Sequence, residues 1–203
     1  MVQEWVQLHH VETYDLLLIF NTIRQVFPYC AVFWVGHQAV VVASASPLEI
    51  NVQAMLEQDK NPRTAVLRKG LPLGTLLAFA GDLFLAPDEL DHALDETLKG
   101  LGKWRPWYAS RDFLPMLEYN TPKGNALRFA LEANVGYLQP FSRTHLPAFT
   151  EPLSDRLAGA VLERRGDVGA ALVRYEAAPQ DADVAARVAA LREALRKAAG
   201  LSH

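Results

Sequence analysis

The run Ala31-Val32-Phe33-Trp34-Val35, then Gly36-His37-Gln38, then Ala39-Val40-Val41-Val42-Ala43 decides the fold. Two stretches of β-branched and aromatic residues flank a glycine-bearing break, which is the composition of two strands joined as a hairpin. Residues 25–48 carry no charged side chain and are long enough on paper to cross a bilayer. Pro28, the Gly36-His37-Gln38 step and the Ser44/Ser46/Pro47 cluster divide that run into pieces too short to span, so a hairpin is predicted instead of a membrane helix. Upstream, Thr13 is placed to cap a helix and Asp15 lies in its first turn. Leu16, Ile19, Phe20, Ile23, Val26 and Phe27 then mark one apolar face until Pro28 stops it. Before the helix, Met1–Leu8 alternates loosely around Val2, Trp5, Val6 and Leu8, as a strand end or a strand-to-helix connection does.

Downstream, Asn51 opens a short helix reaching Gln58, and a polar loop follows through Arg63. Leu71–Ala86 is apolar but holds Pro72, two glycines and Asp82, which predicts a packed helix or a strand edge. Pro87-Asp88-Glu89 begins a further helix whose Leu90, Ala93, Leu94, Thr97 and Leu98 face inward before Gly100 ends it. From Gly102 to Thr150 the signals turn irregular, with Trp104, Trp107 and Tyr108 around Pro106 and four more prolines beyond. A loop-rich wrap with one short helix near Ala126–Ala133 is expected there.

Composition changes near Leu153, where Ala and Arg take over and aromatic residues vanish except Tyr175. Three helices are predicted: Leu157–Arg165, Val168–Ala178 after a Gly166-Asp167 turn, and Asp183–Ala199 with Val184, Val188, Leu191 and Leu195 on one stripe. Gly159, Gly166-Asp167, Ala171, Tyr175 and Ala178 resemble one tetratricopeptide repeat, in which small residues let two helices cross closely and the tyrosine fills the gap. Pro179 departs from that pattern by shortening the second helix. One unit is fewer than a solenoid needs, so the tail reads as a capping or docking helical hairpin, or as an unrelated alanine-rich helical tail.

With 203 residues, half of them hydrophobic, and 20 basic against 23 acidic side chains, the chain has an ordinary globular balance and a formal charge of −3. Long disorder and disulfide scaffolds are excluded, and no basic excess asks for nucleic acid. The lone Cys30 sits in an apolar run and fits a reducing, cytoplasmic setting; the N-terminus shows no secretory signal. There is no GxGxxG, P-loop, CxxC, HExxH or GxSxG motif, so no catalytic residue, bound cofactor or metal is assigned. Of the six histidines, His9 and His10 are adjacent, and neighbours on a strand point to opposite faces.

Two segments together carry a family resemblance. Val2-Gln3-Glu4-Trp5-Val6-Gln7-Leu8, the helix ending in Val26-Phe27-Pro28, and the strand pair around Phe33-Trp34 resemble the final third of a spermidine synthase, the polyamine aminopropyltransferase family. Ser110-Arg111-Asp112-Phe113-Leu114-Pro115-Met116-Leu117-Glu118-Tyr119-Asn120-Thr121-Pro122 resembles the TDD-x-P-x-LEY-x-x-P signature of bacterial spermidine-synthase-like proteins, including those fused to a membrane transporter-like region. The resemblance spans roughly residues 1–125. It implies an α/β fold: the C-terminal portion of a Rossmann-like, methyltransferase-type sheet with an antiparallel hairpin, followed by an α-helical tail. The expected organisation is residues 1–125 as that part, 126–152 as a loop-rich linker and 153–203 as the tetratricopeptide-like tail.

The implied reaction is transfer of an aminopropyl group from decarboxylated S-adenosylmethionine, as co-substrate, to a diamine. In the family the nucleoside loop and the catalytic aspartate lie in the earlier part of the fold, which is absent here, so the chain alone is expected to be inactive. Where the family tends to have Gln before Trp, this chain has Glu4 before Trp5; where it tends to have Thr-Asp-Asp, this chain has Ser110-Arg111-Asp112. Glu4 and Trp5 are the candidate substrate-binding residues, because a carboxylate pairs with an amine cation more strongly than an amide does. The other reading of Glu4 is an exposed strand-end charge. Asp112, Glu118 and Tyr119 read as a structural clasp on the sheet edge. The rival reading of the whole is a non-enzymatic interaction or assembly module using residues 153–203 to hold a protein partner. Membrane association is expected only through an upstream fusion, at the cytoplasmic face. An unpaired strand edge near residues 1–8 favours pairing with a separate subunit or a homo-oligomer.

Overall fold

A computed structural model of the chain describes residues 1–8, 11, 13–36, 38–100, 125–142 and 146–200. The chain is mixed α/β and divides into two compact units. Met1–Leu48 with Leu83–His145 makes the first, and Glu49–Asp82 with Leu146–His203 makes the second.

The first unit is built on a four-stranded sheet: β1 (Val2–Gln7), β2 (Tyr29–Val35), β3 (Gln38–Ser44) and β4 (Leu83–Leu85), in the order β1-β3-β2-β4. The predicted hairpin is present. β2 and β3 pair antiparallel from Tyr29↔Ser44 to Val35↔Gln38, and Gly36 at φ 64° supplies the positive φ that such a short turn requires. β1 also runs antiparallel to β3, with Trp5 opposite Val40 and Glu4 opposite Val41. β1 and β2 therefore point the same way with β3 between them. Helix α1 (Thr13–Val26), closed by Pro28, is the crossover that joins them.

Side chains sort by the two-residue period of the strands. In β3, Ala39, Val41 and Ala43 are buried while Gln38, Val40 and Val42 are half-buried. The buried face, with Val6, Cys30 and Val32, packs against Leu16, Leu17 and Phe20 of α1. Leu90, Ala93 and Leu94 of α4 (Pro87–Gly100) and Leu138 of α5 (Asn125–Leu138) complete that core. Helix α4 begins as predicted at Pro87, and buried Glu89 reaches back to accept the Ala86 N–H at 2.8 Å, one half of a capping box. β4 joins the far side of β2 through only two residue pairs with a register shift between them, and Trp34 meets Phe84 edge-on at 5.3 Å. Helix α5 runs five residues past the predicted end at Ala133.

The second unit is helical. α2 (Val52–Asp59) is capped by Asn51, whose side chain accepts the Ala54 N–H at 2.8 Å. A 3-10 turn (Pro62–Thr64) leads into the one-turn α3 (Ala65–Arg68), and a longer 3-10 segment, Leu76–Asp82, lies against α6 (Asp155–Arg165). The apolar stretch predicted as helix or strand edge is thus both in turn: 3-10 helix to Asp82, then β4. α7 (Val168–Ala177) and α8 (Ala182–Ala198) follow α6. Ser154, Asp167 and Asp181 cap the three tail helices in order, and Gly166 at φ 89° closes α6 in the left-handed conformation. Tyr175 is fully buried among Ala171, Ala178, Val184, Val188 and Leu191. Gly159 of α6 lies where a Cβ would stand 2.6 Å from the Tyr175 ring, which is the small-residue crossing expected of the tail.

Candidate functional site

β1 is an end strand. It pairs with β3 on one side, and no strand of the described residues lies on the other. The two residues singled out from sequence sit at its centre and both are exposed, Trp5 to 64%. As consecutive strand residues they project to opposite faces. Glu4 shares the face of Val41 and Val6, towards α1. Trp5 shares the face of Val40 and Phe33, away from it. The structure therefore does not bring these two side chains together over one face of the sheet.

The carboxyl end of β1 is tied by a residue the sequence reading passed over. Asn134 of α5, 1% exposed, donates through Nδ2 to the Leu8 carbonyl at 2.6 Å and to the Val11 carbonyl at 2.7 Å. One amide thus satisfies two main-chain acceptors where the strand turns into the crossover. Its Oδ1 is buried without a hydrogen-bond partner, an acceptor left free at the strand end. The signal was available: Asn134 falls on the same helical stripe as Leu131, Val135 and Leu138, and a polar residue on an apolar stripe asks for a buried partner.

Ionisable groups elsewhere are engaged in holding elements together. Arg24 of α1 donates to Asp95 at 2.9 Å, to Asp91 at 3.5 Å and to the Asp91 carbonyl at 3.2 Å, clasping α1 to α4. Burial raises the Asp91 carboxyl above its ordinary value despite that guanidinium. Cys30 is buried, its thiol pushed up to about 11 by burial and, secondarily, by Asp91, while it donates to the Phe27 carbonyl at 3.2 Å. It is a packed thiol, not a nucleophile.

In the second unit, Arg164 grips Asp82 through two bonds of 2.7 and 3.0 Å. Tyr175 donates to Glu163 at 2.9 Å, and Arg187 also pairs with Glu163. Burial pushes the Tyr175 hydroxyl up to about 12. None of these arrangements pairs a nucleophile with a base. Among the described residues no group of three or more His, Cys, Asp or Glu side chains stands close enough to hold a metal ion, and no helix is long and apolar enough to cross a membrane.

His9, His10 and the whole Ser110–Pro122 segment, with Asp112, Glu118 and Tyr119, lie outside the described residues. Compared with known proteins, the chain matches no family model, no curated protein and no solved structure.

Proposed function

We propose that the chain is the closing part of a Rossmann-like aminopropyltransferase of the spermidine-synthase type, completing its sheet and walling the amine side of its site. The observation that carries this reading is the crossover: β1 and β2 run in the same direction, α1 joins them, and β3 lies antiparallel between them. Strand–helix–strand crossovers are the units of Rossmann-like sheets, which bind ligands beyond the carboxyl ends of their strands. The carboxyl end of β1 carries the free acceptor of Asn134, and among the described residues no strand lies on the outer edge of β1. The Ser110–Pro122 signature supports the same family from an independent stretch of sequence.

In the reaction proposed, the lone pair of a neutral amine attacks the aminopropyl carbon beside the sulfonium of decarboxylated S-adenosylmethionine. The C–N bond forms, the C–S bond breaks, and sulfur leaves as the neutral thioether methylthioadenosine while the new ammonium gives up a proton. The contribution of this chain is positional: Glu4, exposed at the centre of β1, offers a carboxylate to the diamine, and the nucleoside is held by the other half of the fold. The chain alone then transfers nothing, and it works in the cytoplasm or at the cytoplasmic face of a membrane. Calorimetric titration of the 203-residue chain with methylthioadenosine tests this; no heat of binding is expected, and micromolar binding would overturn the division of labour.

A second reading, an interaction module, is favoured by the α6–α7 hairpin. Its close Gly159–Tyr175 crossing is of the kind a tetratricopeptide-like unit would make, and Val173 on α7 is 65% exposed. Under that reading a protein partner is retained by the full chain and released by Val173→Asp.

A further inference from the structure

The turn after α2 combines two features that a merely solvated loop does not need. Val66 and Leu67, adjacent in the single-turn α3, are 84% and 58% exposed. Around them stand Arg63, Arg68 and Lys69, with no acidic residue from 60 to 69; Lys60 is paired with Glu57 at 2.6 Å. Against a net charge of −3 these three cations leave −6 for all other residues, so the turn is a positive island on an acidic chain. Arg63 and Lys69 are exposed.

The island is built, not loose. Asn61 accepts the Arg63 N–H at 3.0 Å, Thr64 donates to the Gln58 carbonyl at 2.7 Å, and Arg68 reaches the Gly74 carbonyl at 3.3 Å. These bonds fix the turn with the aliphatic pair facing water.

We infer that Lys60–Lys69 is a docking knuckle for an anionic membrane surface, with Val66 and Leu67 entering the headgroup boundary and Arg63 and Lys69 meeting lipid phosphates. The pairing of features selects this occupant. A nucleic acid would use the cations but leaves Val66 and Leu67 without a role, since it offers no aliphatic surface and the segment has no aromatic side chain to stack. Projecting aliphatics ringed by cations match an interface that is apolar a few ångströms below a negatively charged plane. Two inserted side chains and a few cations make a weak, reversible contact, not an anchor.

Co-sedimentation of the full chain with vesicles tests the inference. Binding is expected to phosphatidylcholine–phosphatidylserine vesicles and not to phosphatidylcholine alone, and to fall with added salt. Arg63→Glu with Lys69→Glu should weaken it at least about tenfold, because each basic group near such a surface contributes on the order of a factor of five. Val66→Ser with Leu67→Ser should also weaken it several-fold while lowering the thermal midpoint by no more than a few degrees, since both side chains are exposed. Three results overturn the proposal: no preference for anionic vesicles, binding that survives the serine pair, or binding to an acidic polypeptide or RNA that competes with the vesicles and ignores the serine pair.

Discussion

Gly159→Ala distinguishes the packing account from propensity alone, because the two predict opposite signs. Alanine is favoured over glycine inside a helix by about 1 kcal/mol, so an uncrowded Gly159 would make the substitution stabilising. In the structure the new Cβ would lie 2.6 Å from both Cδ1 and Cε1 of Tyr175 and 3.0 Å from its Cγ. Those atoms belong to a fully buried ring whose hydroxyl is fixed on Glu163, so the ring cannot swing away without losing that bond and disturbing Val184 and Leu191. Overpacking of this kind costs about 1–3 kcal/mol, with rearrangement extending it further. After subtracting the propensity gain, a net loss of up to about 2 kcal/mol is expected.

Gly169, in α7, is the internal control: nothing lies within 4 Å of its Cβ position, so Gly169→Ala should stabilise by about 0.5–1 kcal/mol. Thermal unfolding followed by circular dichroism reads both, at a few degrees for each kcal/mol. A Gly159→Ala midpoint above that of the parent chain, as for Gly169→Ala, would refute the close crossing of α6 and α7.

Three further predictions follow from named groups. The Tyr175 hydroxyl, ordinarily near 10, is raised to about 12 by burial, so the folded state favours its protonated form. That stabilisation is complete below pH 10 and disappears as pH climbs towards 12, an alkaline loss of about 2–3 kcal/mol that Tyr175→Phe should abolish in urea titrations. Asn134→Leu strips the Leu8 and Val11 carbonyls of their donor at about 1–3 kcal/mol for each orphaned group; protection from hydrogen exchange around the start of α1 should fall with it. Cys30, the single cysteine, with its thiol near 11, is about one part in a thousand thiolate at pH 8 and should resist alkylation until the chain is unfolded.

Local signals in the sequence reached far into the fold. The hairpin, α1 up to Pro28, α4 from Pro87 and the three tail helices with their Gly166-Asp167 turn were legible because turn chemistry, caps and periodicity are written in neighbouring residues. What escaped depends on partners distant in the chain. The pairing of β1 with β3 joins residues some thirty-five positions apart, and the three-residue β4 is too short to carry a pattern. The parallel bridge of Ile50 to Phe149, with Ile50 N–H on the Ala148 carbonyl at 2.8 Å, spans about a hundred residues.

The Leu195 end of the predicted α8 stripe is 38% exposed, so that stripe leaves the core one turn early. At the candidate site, Glu4 and Trp5 were legible as a strand pair, but their opposite faces became fixed only with the β1–β3 register. Asn134 was visible only as a polar interruption in an apolar stripe; its two carbonyl partners lie more than 120 residues upstream.

The central proposal is that this chain closes a fold whose nucleoside-binding half lies elsewhere, and native mass measurement of the species carrying this sequence in its source cells tests it most directly. The account predicts a mass well above 22.5 kDa that is not a multiple of it, with the additional mass holding the nucleoside-binding part in the same chain or in a second subunit. A native mass of 22.5 kDa, or a simple multiple, would contradict the account.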